Sequence, residues 1–171
     1  MSKLKTYSTV SKEVESDLNL GLEQKARVKL AEYLAKALST SYLLYVKTQS
    51  FHWNVVGPMF YGLHKMTEEQ YQDLAEAIDD IAERIRAIGF TAPGSVKQFI
   101  QLSDIKEETG APDAKTMVKQ LIEGNELCSR DLRGAVLEAD ALNDVMTADL
   151  LTQRIGQHEQ NAWMLRSLLE G

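Results

Sequence analysis

The chain has little of what would lock a fold covalently or break a helix. A single cysteine, Cys128, among 171 residues excludes an internal disulfide and suits a reducing compartment. Only three prolines occur, Pro58, Pro93 and Pro112, so they read as punctuation between long helical segments. The first twenty residues lack the apolar core of a signal segment, and no apolar run approaches ~18 residues. A soluble protein of the cytoplasm is therefore expected, without a membrane partner. Positive charge is also short: 19 Lys and Arg stand against 25 Asp and Glu, for a net charge of −6. An acidic body does not favour the phosphate backbone of nucleic acid. Histidine is scarce, with three in the chain.

What is present is ordinary globular material, 44% hydrophobic and 26% charged, and long enough for one domain with a sizeable core. Met1 to about Leu20 is polar and lacks an apolar period, which predicts a flexible N-terminal arm followed by one domain over residues 21–171. From Leu22 the pattern is helical, with Leu30, Leu34, Leu38, Tyr42 and Tyr45 three to four residues apart up to about Asn54. Gly57-Pro58 breaks it. A second helix is predicted from Phe60 to Gly89 on the seam Leu63, Thr67, Tyr71, Leu74, Ile78, Ile81, Ile85 and Ile88. Residues 90–111 form a long connection with a short helix over Ser95–Leu102. A third helix begins near Pro112-Asp113 and a fourth near Thr147. The spacing predicts an all-α four-helix bundle with a crossover, the ferritin-like arrangement.

Four residues of the second helix can bind metal. His64 and Glu68 form one i,i+4 pair and Asp79 and Glu83 another, each on one helical face. His52 lies twelve residues upstream of His64. At ~1.5 Å per residue, Glu68 and Asp79 are roughly 16 Å apart, which no ion spans. One copy of the helix cannot close a site. Two copies crossing antiparallel about a dyad can, near Asp73-Leu74, with paired sites ~22 Å from each other. The stripe falls roughly 100° from the apolar seam, so it lines a flank suited to a second subunit. The plainer reading is a solvated charged face, as expected for Glu69, Asp73, Glu76 and Asp80. An intrachain di-iron site needs Glu-x-x-His on two helices, and no Glu lies three residues before any His. Imidazole with carboxylate suits Fe(II), Zn(II) or Mn(II) better than Ca(II) or Cu(I).

The run His52-Trp53-Asn54, then Gly57, Phe60, His64, Glu68, Asp79 and Ala82-Glu83-Arg84, resembles the Dps family, the miniferritins. The segment His158-Glu159-Gln160-Asn161-Ala162-Trp163-Met164 resembles that family's last helix, and the likeness covers about residues 22–170. The resemblance implies a hollow homododecamer built from dyad dimers. It implies oxidation of Fe(II), with hydrogen peroxide as the characteristic oxidant and dioxygen as a second, and storage of ferric mineral, protecting the cell from oxidative damage. Its ferroxidase centre would take His52, His64 and Glu68 from one subunit and Asp79 and Glu83 from the other. Iron is the implied metal, with zinc as a substitute in the site. The family commonly has Asp where this chain has Glu68. Trp53 is a candidate electron donor or an interface packing residue. Asp144 and Asp149 are candidates for the acidic lining of a pore, or for helix capping.

His158 falls in the apolar seam of the fourth helix, and a hydrogen-bonded core histidine is expected there. Cys128 is expected to be a buried, inert thiol. A DNA-gripping arm would use Lys3, Lys5 and Lys12, but Glu13, Glu15 and Asp17 cancel them, so DNA binding is expected to be weak or absent. The rival expectation is a nucleoid-compacting protein with secondary metal binding. A third is a helical scaffold oligomer whose acidic stripe is solvated.

Overall fold

The computed structural model describes residues 12–170. Its elements are α1 (Gln24–Asn54), α2 (Phe60–Ala87), α3 (Val96–Leu102), α4 (Ala114–Ala141) and α5 (Val145–Ser167). Among the described residues there is no strand, only an isolated bridge between Glu13 and Phe90. No helix among them is long and apolar enough to cross a membrane. The four long helices lie within about two residues of the positions predicted from the apolar period, and the short crossover helix is also present.

Breaks and caps follow local chemistry. Gly57 takes a φ of +87°, a left-handed turn that glycine adopts without a side-chain clash, and it separates α1 from α2. Ser95 and Gln98 form a reciprocal capping box at α3. Asp113 accepts from the Thr116 N–H at 2.7 Å and caps α4. Helices α1 and α2 form one hairpin, α4 and α5 the other, and the crossover carries α3 against α1.

The core comprises two apolar clusters. One joins Leu30, Leu34, Leu38, Ile81, Ile85, Ile88, Leu132 and Leu151. The other joins Leu44, Phe51, Leu63, Leu74, Val118, Leu121 and Leu165. Between them each of the four long helices carries small or polar buried groups: Ser39, Thr40 and Ser41 on α1, Ala77 on α2, Ser129 on α4, His158 and Asn161 on α5. His158 is fully buried, and its Nδ1–H donates to Asn125 Oδ1 at 2.9 Å. Cys128 is buried too, and burial pushes its thiol up to about 12, leaving it protonated and unreactive at neutral pH.

The segment read as a free arm is tied down from Lys12 onward. Val14 N–H donates to the Gly89 carbonyl at 2.9 Å and Thr91 N–H to that of Lys12 at 3.0 Å. Arg27 makes this possible. Its guanidinium, 1% exposed, donates to the carbonyls of Ile88, Glu15 and Ser16 at 3.0–3.3 Å and lies 3.4 Å from Glu13. Five guanidinium donors let one side chain collect carbonyls from two segments. Lys3 and Lys5 lie outside the described residues.

Gly89 sits at the centre of this junction with a φ of +97°. A Cβ there would meet Glu15 O at 2.7 Å and Arg27 Nη1 at 2.8 Å. Gly89→Ala should therefore lower stability by about 2 kcal/mol, from backbone strain plus overpacking. A urea midpoint unchanged from wild type would show that the junction yields freely.

Candidate metal centre

The two histidines lock each other. His52, at the end of α1, and His64, in the first turns of α2, face each other across the α1–α2 turn. His52 Nδ1 lies 2.8 Å from the His64 carbonyl, and His64 Nδ1 lies 2.9 Å from the His52 carbonyl. A carbonyl only accepts, so each Nδ1 carries its proton and donates. That leaves Nε2 as the nitrogen each ring can offer a ligand. The rings stack with centroids 3.8 Å apart and 18° between planes. Phe60 stacks on His64 at 5.0 Å and Tyr71 meets His52 edge-on at 5.2 Å, which fixes the pair from both sides. His52 is only 7% exposed, so its ring is set by packing and not by solvent.

Glu68 stands one turn beyond His64. Its carboxylate accepts from Lys65 Nζ at 2.8 Å. That ammonium holds its pKa below the usual carboxylate range, with the two histidines adding to the effect. Glu68 is therefore an anion one helical turn from the histidine pair, held in an ion pair with Lys65. Asp79 and Glu83, three turns on, are exposed, and among the described residues no hydrogen bond engages their carboxylates. Among the described residues no three His, Cys, Asp or Glu side chains group closely enough to hold a metal within one chain. The candidate ligands thus fall in two groups, one near each end of α2.

Other acidic residues are committed elsewhere. Asp144, a candidate for pore lining, is 3% exposed and is the N-cap of α5. It accepts from Arg84 Nη2 at 2.7 and 2.8 Å, from the Thr147 hydroxyl at 2.5 Å and from the Thr147 N–H at 3.1 Å. Burial opposes its ionisation, but the Arg84 and Thr147 hydrogen bonds outweigh that and hold its pKa below the carboxylate range. A carboxylate enclosed this way has no free oxygen to offer a passing cation, so the capping alternative describes Asp144. Asp149 is exposed and lines an open cleft with Asp80, Glu83 and Arg84, which puts it near a candidate ligand. Asp73 departs from the expected solvated face: it pairs with Arg154 of α5 at 2.5 and 2.9 Å. Trp53 is 67% exposed, and Val56, Phe60 and Tyr61 around the same turn are also uncovered.

Sequence reasoning missed the roles of three residues that shape this region. Lys65 could have been found, being i,i+3 to Glu68. Arg27 and Arg84 carry no local signal, because their partners lie 60 or more residues away or in an irregular segment.

The comparisons agree with this architecture. The family model for a ferritin-like domain matches residues 31–171. An uncharacterised low-temperature-induced protein of Nostoc is 45% identical over 90% of this chain and 87% of its own length. DNA protection during starvation protein 2 of Bacillus anthracis is 37% identical over 81% of this chain and 94% of its own. Among solved structures, the Dps protein of Vibrio cholerae, described as one of the ferritin-like diiron-carboxylate proteins, superposes with a TM-score of 0.86. It is 29% identical and covers 93% of this chain and 100% of its own. The Dps protein of Bacillus brevis is 33% identical with a TM-score of 0.83, covering 87% and 100%. The five helices, the crossover, the histidine motif and these likenesses agree, and the chain belongs to the ferritin-like proteins, in their Dps family.

Proposed function

We propose that this protein detoxifies and stores iron. It oxidises Fe(II), with hydrogen peroxide as the preferred oxidant, at centres shared between two subunits, and it holds the ferric product inside a hollow dodecamer. The observation that carries this reading is the reciprocal histidine lock. It leaves Nε2 of each ring free to ligate, one helical turn from Glu68, while the other candidate donors, Asp79 and Glu83, stand three turns away on the same helix. About a dyad, His52, His64 and Glu68 of one subunit meet Asp79 and Glu83 of the partner subunit. The uncovered apolar groups Trp53, Val56, Phe60 and Tyr61 flank the same face, as a subunit contact requires.

The chemistry asks little of the protein beyond positioning. Two Fe(II) and one peroxide, with two protons, give two Fe(III) and two waters, so no hydroxyl radical is released. The histidines favour Fe(II) entry, and three carboxylates stabilise the harder Fe(III) that results. Lys65 holds Glu68 extended until the cation competes for it. Iron fits this donor set and the diiron-carboxylate neighbour, and no observation favours zinc in its place. Asp149, in the cleft beside Glu83, provides a negative approach for incoming cations.

The test is to load the assembled protein with Fe(II) without oxygen, then add either peroxide or air. Oxidation should be faster with peroxide at equal oxidising equivalents, and the ferric product should remain soluble with the protein. Equal or slower rates with peroxide would remove the oxidant preference. A monomer in size exclusion would remove the shared site. DNA compaction is disfavoured by the charge of −6. Retardation of DNA that survives about 150 mM salt, where exposed charges are screened beyond ~8 Å, would restore it. A cytoplasmic location belongs to the same reading.

A further inference from the structure

An aromatic path leaves the candidate centre. His52 meets Tyr71 edge-on with ring centroids 5.2 Å apart and 69° between planes. Tyr71 meets Tyr45 at 6.1 Å and 81°. Tyr45 lies 6.1 Å from Tyr42, which stacks on Phe99 of α3 at 4.3 Å. Three of the six tyrosines thus form an unbroken series from a candidate ligand histidine into the α1–α3 contact. Residues 42, 45 and 52 share one face of α1 because they are three and seven apart, so helical geometry by itself aligns the series. All three rings are half-buried, which shields them from solution oxidants while leaving a route for a phenolic proton to water. Packing alone needs no phenol here. The Tyr45 phenol accepts from Gln49 Nε2 at 3.0 Å.

We propose that Tyr71, Tyr45 and Tyr42 form an electron relay that completes peroxide reduction when only one Fe(II) occupies a centre. The proposal rests on the ferroxidase reading. Peroxide needs two electrons to become two waters, and a lone Fe(II) supplies one. The relay supplies the other. The phenol O–H bond of Tyr71 breaks, its electron passes through the His52 contact to the peroxide, and its proton goes to water. The sum is Fe(II), tyrosine, one peroxide and one proton giving Fe(III), a tyrosyl radical and two waters. Exchange along the 6.1 Å steps moves the radical to Tyr45 and Tyr42, away from the centre. A later Fe(II), with a proton, returns the radical to tyrosine and becomes Fe(III). The O–O bond is thus cleaved without releasing hydroxyl radical even at half occupancy.

The experiment freezes the assembled protein within milliseconds of adding one peroxide to one Fe(II) per centre and records the electron paramagnetic resonance spectrum. A tyrosyl signal is expected in wild type and in Trp53→Phe. It should be lost in Tyr71→Phe, which removes only a hydroxyl and keeps the packing. With two Fe(II) per centre the signal should be absent in wild type, because iron then supplies both electrons. A signal that persists in Tyr71→Phe, or that disappears only in Trp53→Phe, overturns the relay. So does a signal equally strong at two Fe(II) per centre. Normal iron oxidation with no tyrosyl signal overturns the relay and leaves the ferroxidase reading standing. If wild type oxidises no iron with peroxide, the ferroxidase reading fails and the relay falls with it.

Discussion

Mixing His52→Ala and Asp79→Ala subunits should restore iron oxidation that neither variant shows alone. Each variant by itself should lose at least about a hundredfold in rate, since altering even the groups that orient a metal ligand costs ~10–100-fold. In a dimer of one subunit of each kind, the two shared centres become unequal. One receives both defects. The other takes its histidines from the Asp79→Ala subunit and its carboxylates from the His52→Ala subunit, so it is intact. Random pairing makes half of all dimers mixed, and each has one sound centre of two, so about a quarter of the wild-type rate should return under dyad exchange. Refolding equal amounts together and measuring peroxide-driven Fe(II) oxidation gives the result. Recovery of nothing would mean that His52 and Asp79 serve one centre from one chain, or none.

The second large effect is on stability in acid. His158 is fully buried, and burial together with the charge of Arg154 lowers its pKa from the ordinary 6.5 to about 3, against the opposing pull of Asp73. The unfolded chain binds a proton at His158 below pH 6.5, while the folded chain does not until about pH 3. Stability from this group is therefore complete above pH 6.5 and is lost as the pH falls through that window. At ~1.4 kcal/mol per unit, the loss by pH 4.5 is roughly 2–3 kcal/mol. His158→Gln keeps a polar partner for Asn125 but cannot titrate. It should be less stable than wild type at pH 7, and the difference should shrink by that amount at pH 4.5. Urea midpoints that run parallel from pH 7 to pH 4.5 would refute the assignment. The buried Asp144 carboxylate, held below its ordinary pKa, adds its own loss at low pH to both proteins equally.

Much of this molecule is legible in one dimension because helices are local. The spacing of Leu30, Leu34 and Leu38, or of Ile78, Ile81, Ile85 and Ile88, depends on residues three or four apart, so it predicts each helix and its buried face without knowledge of the rest. Gly57-Pro58 and Asp113 mark boundaries by equally local chemistry. The stripe His64, Glu68, Asp79 and Glu83 also follows from helical rise alone, including the conclusion that one copy cannot close a site. The burial of His158 and Cys128 was readable from their place in the apolar seams.

Partner choice was not readable, because it is made across the bundle. Asp144 and Asp149 look alike along the chain, yet packing brings Arg84 to the first and leaves the second exposed. Asp73 looks like its solvated neighbours until α5 sets Arg154 against it. Arg27 gathers carbonyls from two irregular segments that have no period to read.

The histidine motif shows the division most clearly. Sequence alone placed His52 and His64 beside a stripe of ligand-type residues that one copy of the helix cannot close around a single ion. Only the tertiary structure decided how the two rings are held. The α1–α2 turn brings each Nδ1 to the other's carbonyl, a pairing between residues twelve apart that no helical period encodes, and so leaves Nε2 as the nitrogen each ring can offer a ligand.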